Sequence, residues 1–210
     1  MRQRTAVLIS GRGSNMAALA RAAANPSFPA EIALVLSNRA SAPGLALAQA
    51  AGIATEIIPR DGAAREDHEA AIDAALRRHD IALVCLAGYL RILSPFLVRS
   101  WQGRMLNIHP SLLPAFPGLE THARALAAGV KLHGCTVHLV SERLDDGAIL
   151  AQAAVPVLPG DTPETLAARV LAQEHRIYPL ALALIAGAHA QPAAAGAALL
   201  NPLPPGLPAK

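Results

Sequence analysis

Aromatic residues make up only 3% of this 210-residue chain. That excludes a core of stacked rings, so the 53% of hydrophobic residues, much of it alanine, must pack through Leu, Ile, Val and closely approaching helices. Cysteine is nearly absent as well. Cys85 and Cys135 lie in separate apolar, strand-like runs and form no C-x-x-C motif, which excludes a disulfide scaffold and predicts two buried, reduced thiols. No apolar run approaches the roughly 18 to 20 residues that span a bilayer, and the opening MRQRTAVLIS leads straight into a strand with no export signal. The expectation is a soluble, cytoplasmic protein with no membrane partner. Basic clusters are also missing: the formal charge is +3 and the pI near 9.3, but the arginines are dispersed. This argues against nucleic acid and leaves a weak general field that suits small phosphates or carboxylates.

What the chain does contain is a regular alternation of strands and helices. Thr5 to Ser10 (TAVLIS) is a continuous apolar run of the kind buried on both faces of a sheet. It is followed by Gly11, Gly13, Ser14 and Asn15 and a helical pattern over Met16 to Ala24. Further units are strand Ile32 to Ser37, helix Pro43 to Ala51, strand Thr55 to Ile58, helix Ala64 to His79 and strand Ile81 to Ala87. Strands His133 to Val140 and Ile149 to Val155, joined by the acidic turn SERLDDG, form a hairpin-like pair. A long helical pattern covers Thr162 to Ala186, where Pro179 is expected to kink or divide it. From Gly187 the chain is rich in Ala, Pro and Gly and is expected to be an extended tail. The predicted fold class is α/β: a mostly parallel, twisted sheet with helices on both faces and an antiparallel strand pair toward the C-terminal part. It forms a single domain over residues 1–187, with 188–210 as tail.

In such sheets ligands gather beyond the carboxyl ends of the strands, and three stretches lie there. The loop G-R-G-S-N at 11–15 joins a strand to a helix start, where glycine lets the backbone approach a ligand and the first helical amides favour a phosphate. It is equally readable as a tight turn with Asn15 as helix cap. Gly88 to Leu93 (GYLRIL) sets an apolar segment around Arg91, which could hold a flat heterocycle with an acidic tail or be an ordinary loop. The central stretch is Met105 to Pro114, MLNIHPSLLP. On a strand Asn107 and His109 share a face, and Pro110 and Pro114 force a stiff loop after it. A neutral amide donor beside an imidazole suits chemistry at a carbonyl carbon. Asp145 or Asp146 could polarise that imidazole, although Asp-Asp-Gly is also plain turn composition. The segment Ala115 to Val130, with Pro117, Gly118 and a short helical pattern near Thr121 to Ala128, reads as a loop able to cover a site.

Taken together, VLISGRGSN, LAGYLRILSPFLV, LNIHPSLLPAFPGLETH, HGCTVHLVSERLDDGAILAQ and QEHRIYPL resemble the folate-dependent phosphoribosylglycinamide formyltransferase family over nearly the whole chain. The resemblance implies a formyltransferase-like, Rossmann-type fold, 10-formyltetrahydrofolate as co-substrate, 5-phosphoribosylglycinamide as acceptor, and no metal. A homodimer is left open. It further implies that Gly13, Ser14 and Asn15 hold the acceptor's phosphate and that Glu174 contacts its ribose. Arg65, Leu90, Arg91, Ile92, Leu93 and Asn107 would line the folate site, with Asn107, His109 and Asp145 catalytic. Asp145 would then stabilise the charged imidazole and help manage the proton lost by the attacking amine. Arg12, Tyr89 and Glu120 depart from the residues common in bacterial relatives, where Asn, Phe and His often stand. Water as acceptor is the main enzymatic alternative. A methionyl-tRNA formyltransferase is disfavoured because its C-terminal RNA-binding domain has no counterpart in the tail.

Overall fold

Along the first strand, β1 (Gln3–Ile9), Ala6 and Leu8 belong to one buried cluster and Val7 and Ile9 to another, all four fully buried. A strand with no polar face must lie inside a sheet covered on both sides. The computed structural model, which describes residues 1–60 and 62–190, has this architecture. The chain continues through α1 (Ser14–Ala23), β2 (Ala30–Ser37), α2 (Pro43–Ala50), β3 (Ala54–Ile57), α3 (Arg65–Arg78) and β4 (Leu83–Leu86). It then forms α4 (Pro95–Ser100), β5 (Met105–His109), α5 (Thr121–Ala127), β6 (Leu132–Leu139), β7 (Ile149–Pro156) and α6 (Pro163–Ala190).

The seven strands form one sheet in the order β3-β2-β1-β4-β5-β6-β7. Pairing is parallel from β3 to β5 and antiparallel for β5 with β6 and β6 with β7. The strand order reverses between β1 and β4, so a crevice opens beyond their carboxyl ends, as expected of doubly wound sheets. On one face Met16 and Leu19 of α1, Leu45 of α2 and Ile177, Tyr178 and Leu182 of α6 pack on the sheet. On the other, Ile72 and Leu76 of α3, Leu97 of α4 and Trp101 do the same. Cys85 and Cys135 are both buried and unbridged, and burial raises both thiols, Cys85 to about 12.

Most expected elements are found within one or two residues of their predicted ends, and β5 coincides with Met105–His109. Two expectations need correction. α4 was not foreseen: at six residues it is too short to show helical periodicity. α6 is not divided at Pro179 and runs four residues beyond Ala186, to Ala190. Proline removes one helical hydrogen bond, but the fully buried Tyr178, Ala181, Leu182 and Ala186 hold this helix against the sheet on both sides of it. The rest of the expected tail, residues 191–210, lies outside the described residues. Among the described residues no helix is long and apolar enough to cross a membrane.

Candidate active site

β5 ends at His109, and its antiparallel neighbour β6 sets Asn107 opposite His138 and His109 opposite Thr136. Residues opposed across two strands share a face, so the pairing brings a second histidine beside Asn107. The carbonyl of Leu139 can only accept, so at 2.9 Å it takes the proton of His138 Nδ1. That leaves Nε2 of the neutral ring to accept from Asn107 Nδ2, 3.2 Å away. His109 Nε2 likewise donates to the carbonyl of Phe116 at 3.0 Å.

The connection between β6 and β7 then folds Asp145 back over this pair. Its Oδ2 lies 3.4 Å from His109 Nδ1 and its Oδ1 3.8 Å from His138 Nε2. Oδ2 also accepts the Gly118 N–H at 2.8 Å, which ties the loop after β5 to the turn after β6. The His109 and Asp145 side chains are both only 7% exposed. Asp146 instead faces solvent, with Arg143 3.7 Å away. Turn composition alone left Asp145 and Asp146 equivalent, and the resemblance singled out Asp145; in the structure it is Asp145 that lies against the imidazole. Phe116, Glu120 and Asp145 all have positive φ, between 54° and 55°, and strained backbone of this kind concentrates at ligand sites. Burial lowers the pKa of His138 below 6.5; the Leu139 carbonyl and Asp145 oppose that shift, and His109 adds to it.

The stiff loop expected after His109 is bonded along its length. Thr136 Oγ1 donates to the Ser111 carbonyl at 2.7 Å and accepts the Leu113 N–H at 3.0 Å. Gln152 donates to the Leu113 carbonyl, and Thr121 to that of Pro110. The Leu113–Pro114 peptide is cis. Beneath the loop His122 and the buried His133 stand edge to face, their ring nitrogens 3.2 Å apart. Burial, with His122 beside it, pushes His133 down to about 4.

The glycine loop joins the same crevice. Gly13 has φ 75°, and a Cβ there would meet the Gly44 backbone at 2.7 Å, so α2 can approach only because both positions lack side chains. Ser14 opens α1, followed by the buried Asn15, whose Nδ2 donates to Glu174 Oε2 at 2.6 Å across 159 residues of sequence. The Asn15 Oδ1 has no hydrogen-bond partner among the described residues. Burial raises the Glu174 pKa, whereas the Asn15 amide and the nearby His109 favour its charged form. One turn after Glu174, Tyr178 places its hydroxyl 3.0 Å from the Leu86 carbonyl and 3.2 Å from that of Leu106. Helix α6 is thereby fixed to the strand that carries Asn107.

On the far side of the crevice lies the loop after β4. Leu90 and Ile92 are 63% and 66% exposed, Arg91 is exposed and Leu93 half-buried. The segment is nevertheless anchored from below. Ser10 Oγ accepts the Leu90 N–H at 3.0 Å and bonds Asn38 at 2.7 Å. The buried Glu69 of α3 receives the Ser94 N–H at 2.9 Å. Arg65 is the exposed first residue of α3. Among the described residues no side-chain hydrogen bond joins Arg65 or Arg91 to the Asn107 cluster.

Of the sequence candidates, Asn107, His109 and Asp145 come together, as do Asn15 and Glu174; the 90–93 segment stands apart as an open rim. Missed from sequence were His138, Ser10 and Glu69. His138 shares a strand face with Thr136, but only the antiparallel pairing with β5 makes that position meaningful.

A family model described as formyl transferase matches residues 3–182. The Escherichia coli (strain K12) protein named phosphoribosylglycinamide formyltransferase is 45% identical over 181 residues, 86% of this chain and 85% of its own. A crystal structure of phosphoribosylglycinamide formyltransferase from Brucella melitensis superposes with a TM-score of 0.85 at 62% identity, covering 89% of this chain and 96% of that one. The trifunctional purine biosynthetic protein adenosine-3 of Gallus gallus is 48% identical over 92% of this chain, which spans only 19% of that longer relative.

Proposed function

The chain belongs to the formyl transferase family, and we propose that it transfers the formyl group of 10-formyltetrahydrofolate to the amine of 5-phosphoribosylglycinamide in the cytoplasm. The observation that carries the reading is the buried convergence of Asn107, His109 and Asp145 at one strand end, beside the Asn15–Glu174 pair.

The acceptor's amine attacks the formyl carbon, and the carbonyl electron pair moves onto oxygen. Asn107 donates to that oxyanion through Nδ2, and the His109 imidazolium stabilises it from the ring edge. At 3.4 Å the Nδ1–Asp145 separation is an ion-pair distance rather than a short hydrogen bond, so the Nδ1 edge is not committed to Asp145 alone, while the carboxylate balances the ring's charge. The attacking nitrogen gives up a proton, with Asp145 and His109 as the nearby relay. Collapse of the tetrahedral carbon breaks its bond to the folate nitrogen, which takes up a proton as it leaves. No bond forms between protein and formyl group.

Gly13, Ser14 and Asn15, at the start of α1, are assigned to the phosphate, and Glu174 to the ribose. The exposed Leu90 and Ile92, with Leu93, Arg91 and Arg65, are assigned to the folate, apolar area against its ring and cations toward its acidic tail. A glycine-rich anion loop distinct from the folate rim gives the site a reason to bind a second substrate.

Following both the formylated amine and free formate tests the reading. Donor alone should lose formyl slowly, and phosphoribosylglycinamide should accelerate consumption strongly with little formate released. Formate release at the same rate with and without the amine would make the protein a hydrolase.

A further inference from the structure

The amide of Asn107 can lie either way round, and only one orientation points a donor at a developing oxyanion. Nothing on β5 itself decides between them. The neighbour that does is His138, and its own state is set from behind. The Leu139 carbonyl, 2.9 Å from Nδ1, demands a proton there. Gly147 packs against the same edge, where an added Cβ would come within 3.5 Å of Nδ1, and the residue opposite on β7 is the uncharged Ile149. The ring therefore presents a bare Nε2 to Asn107, 3.2 Å away. A lone pair there attracts an amide N–H and repels an amide oxygen.

We infer that His138 is the positioning residue of the site: as the neutral Nδ1–H tautomer it holds one N–H of Asn107 and thereby directs the other into the cleft. This rests on the proposed role of Asn107 as oxyanion donor. A proton on Nε2 would reverse the preference, because the amide would have to turn over to offer its oxygen to the ring. Among the described residues two charged or titratable groups, Asp145 and His109, face His138 and bear on that proton. Asp145, with Oδ1 3.8 Å from Nε2, favours it, while His109 on β5 disfavours it. Burial of the ring, only 3% exposed as a side chain, acts with His109 to keep it neutral.

The tautomer can be read directly from long-range nitrogen–proton NMR of the His138 ring at neutral pH. A proton on Nδ1 and a bare Nε2 are expected, and a protonated Nε2 would overturn the proposal. In kinetics, His138→Leu should lower kcat by roughly 10- to 100-fold, the usual cost of releasing a catalytic group from its supporting bond, with KM for both substrates changed far less. His138→Gln, whose carbonyl can take the place of Nε2 as acceptor, should recover most of the loss. Equal losses in the two variants would refute positioning. Should His138→Leu fail to fold, the ring spectrum and the Gln variant still decide.

Combining variants separates this proposal from the one beneath it. In an Asn107→Ala background, His138→Leu should cost no further turnover, since nothing remains to be positioned. Near-normal turnover in Asn107→Ala alone would remove the oxyanion role and the proposed mechanism with it. A damaged Asn107→Ala whose loss adds fully to that of His138→Leu would leave the mechanism standing and sink only the positioning role.

Discussion

The two rims of the crevice are built on opposite plans. On the rim proposed for the acceptor, polar groups are buried and already bonded: Asn15 to Glu174 at 2.6 Å, with the glycine loop locked against Gly44. On the rim proposed for the folate, Leu90 and Ile92 stand in solvent, and only the backbone beneath them is held, by Ser10 and Glu69. Hydrogen-bonded recognition of a phosphosugar depends on direction, so its groups must be in place before the ligand arrives. A flat ring is bound largely through area, which exposed side chains supply when they are covered. The residues proposed to be catalytic sit between the rims and share the character of the first.

The contrast can be broken at its centre, where the largest effect is expected. Asn107→Ala and His109→Ala should each lower kcat by roughly 100-fold or more, the scale of a lost oxyanion donor, while affinity at both rims survives. Steady-state kinetics in each substrate, with circular dichroism as the folding check, would show it.

A smaller and one-sided effect is expected at the rigid rim. Gly13→Val forces a branched side chain into a positive φ and onto the Gly44 backbone, a strain of about 1–3 kcal/mol or more. Calorimetry should find acceptor binding weakened about tenfold or more, a melting temperature several degrees lower, and folate affinity nearly intact. At the open rim the pattern should invert. The double change Leu90→Ser with Ile92→Ser leaves stability unaltered, since both residues are exposed, and weakens donor binding by about tenfold for the apolar cover lost.

The smallest effect lies behind both rims and serves as their control. His133 is held neutral down to about 4, against 6.5 for a free histidine. The unfolded chain thus takes up a proton that the folded one refuses, so stability is full above 6.5 and falls as the pH drops toward 4. Denaturant midpoints across that window should decline, and His133→Gln should flatten the decline without changing the order of the two rims. An unchanged slope would show that this ring does not titrate as its burial requires.

Much of this architecture was legible in the residues. Short apolar runs bounded by turn residues located the strands, and Asn107 and His109 followed from their spacing on β5. What resisted was everything that depends on which strands meet. His138 looked like any residue of an apolar strand until β6 was seen to run against β5. Asp145 and Asp146 were interchangeable as turn residues, because the choice rests on one backbone conformation with φ 54°. Glu69 carried no signal of its own within the helical pattern of 64–79, yet it is buried under the loop that contains Ser94. α6 was not divided at its proline because packing along its length outweighed the local rule.

The bond between Asn15 and Glu174 closes a loop of 159 residues, nearly the whole described chain. Joining such distant segments carries a large closure entropy and belongs to the end of folding rather than its beginning. On a ribosome that releases the N-terminal strands first, the acceptor rim would exist as geometry only once α6 has emerged and docked. A nascent or truncated chain that holds most of its sheet without α6 would be inert, so activity itself would report that α6 has docked.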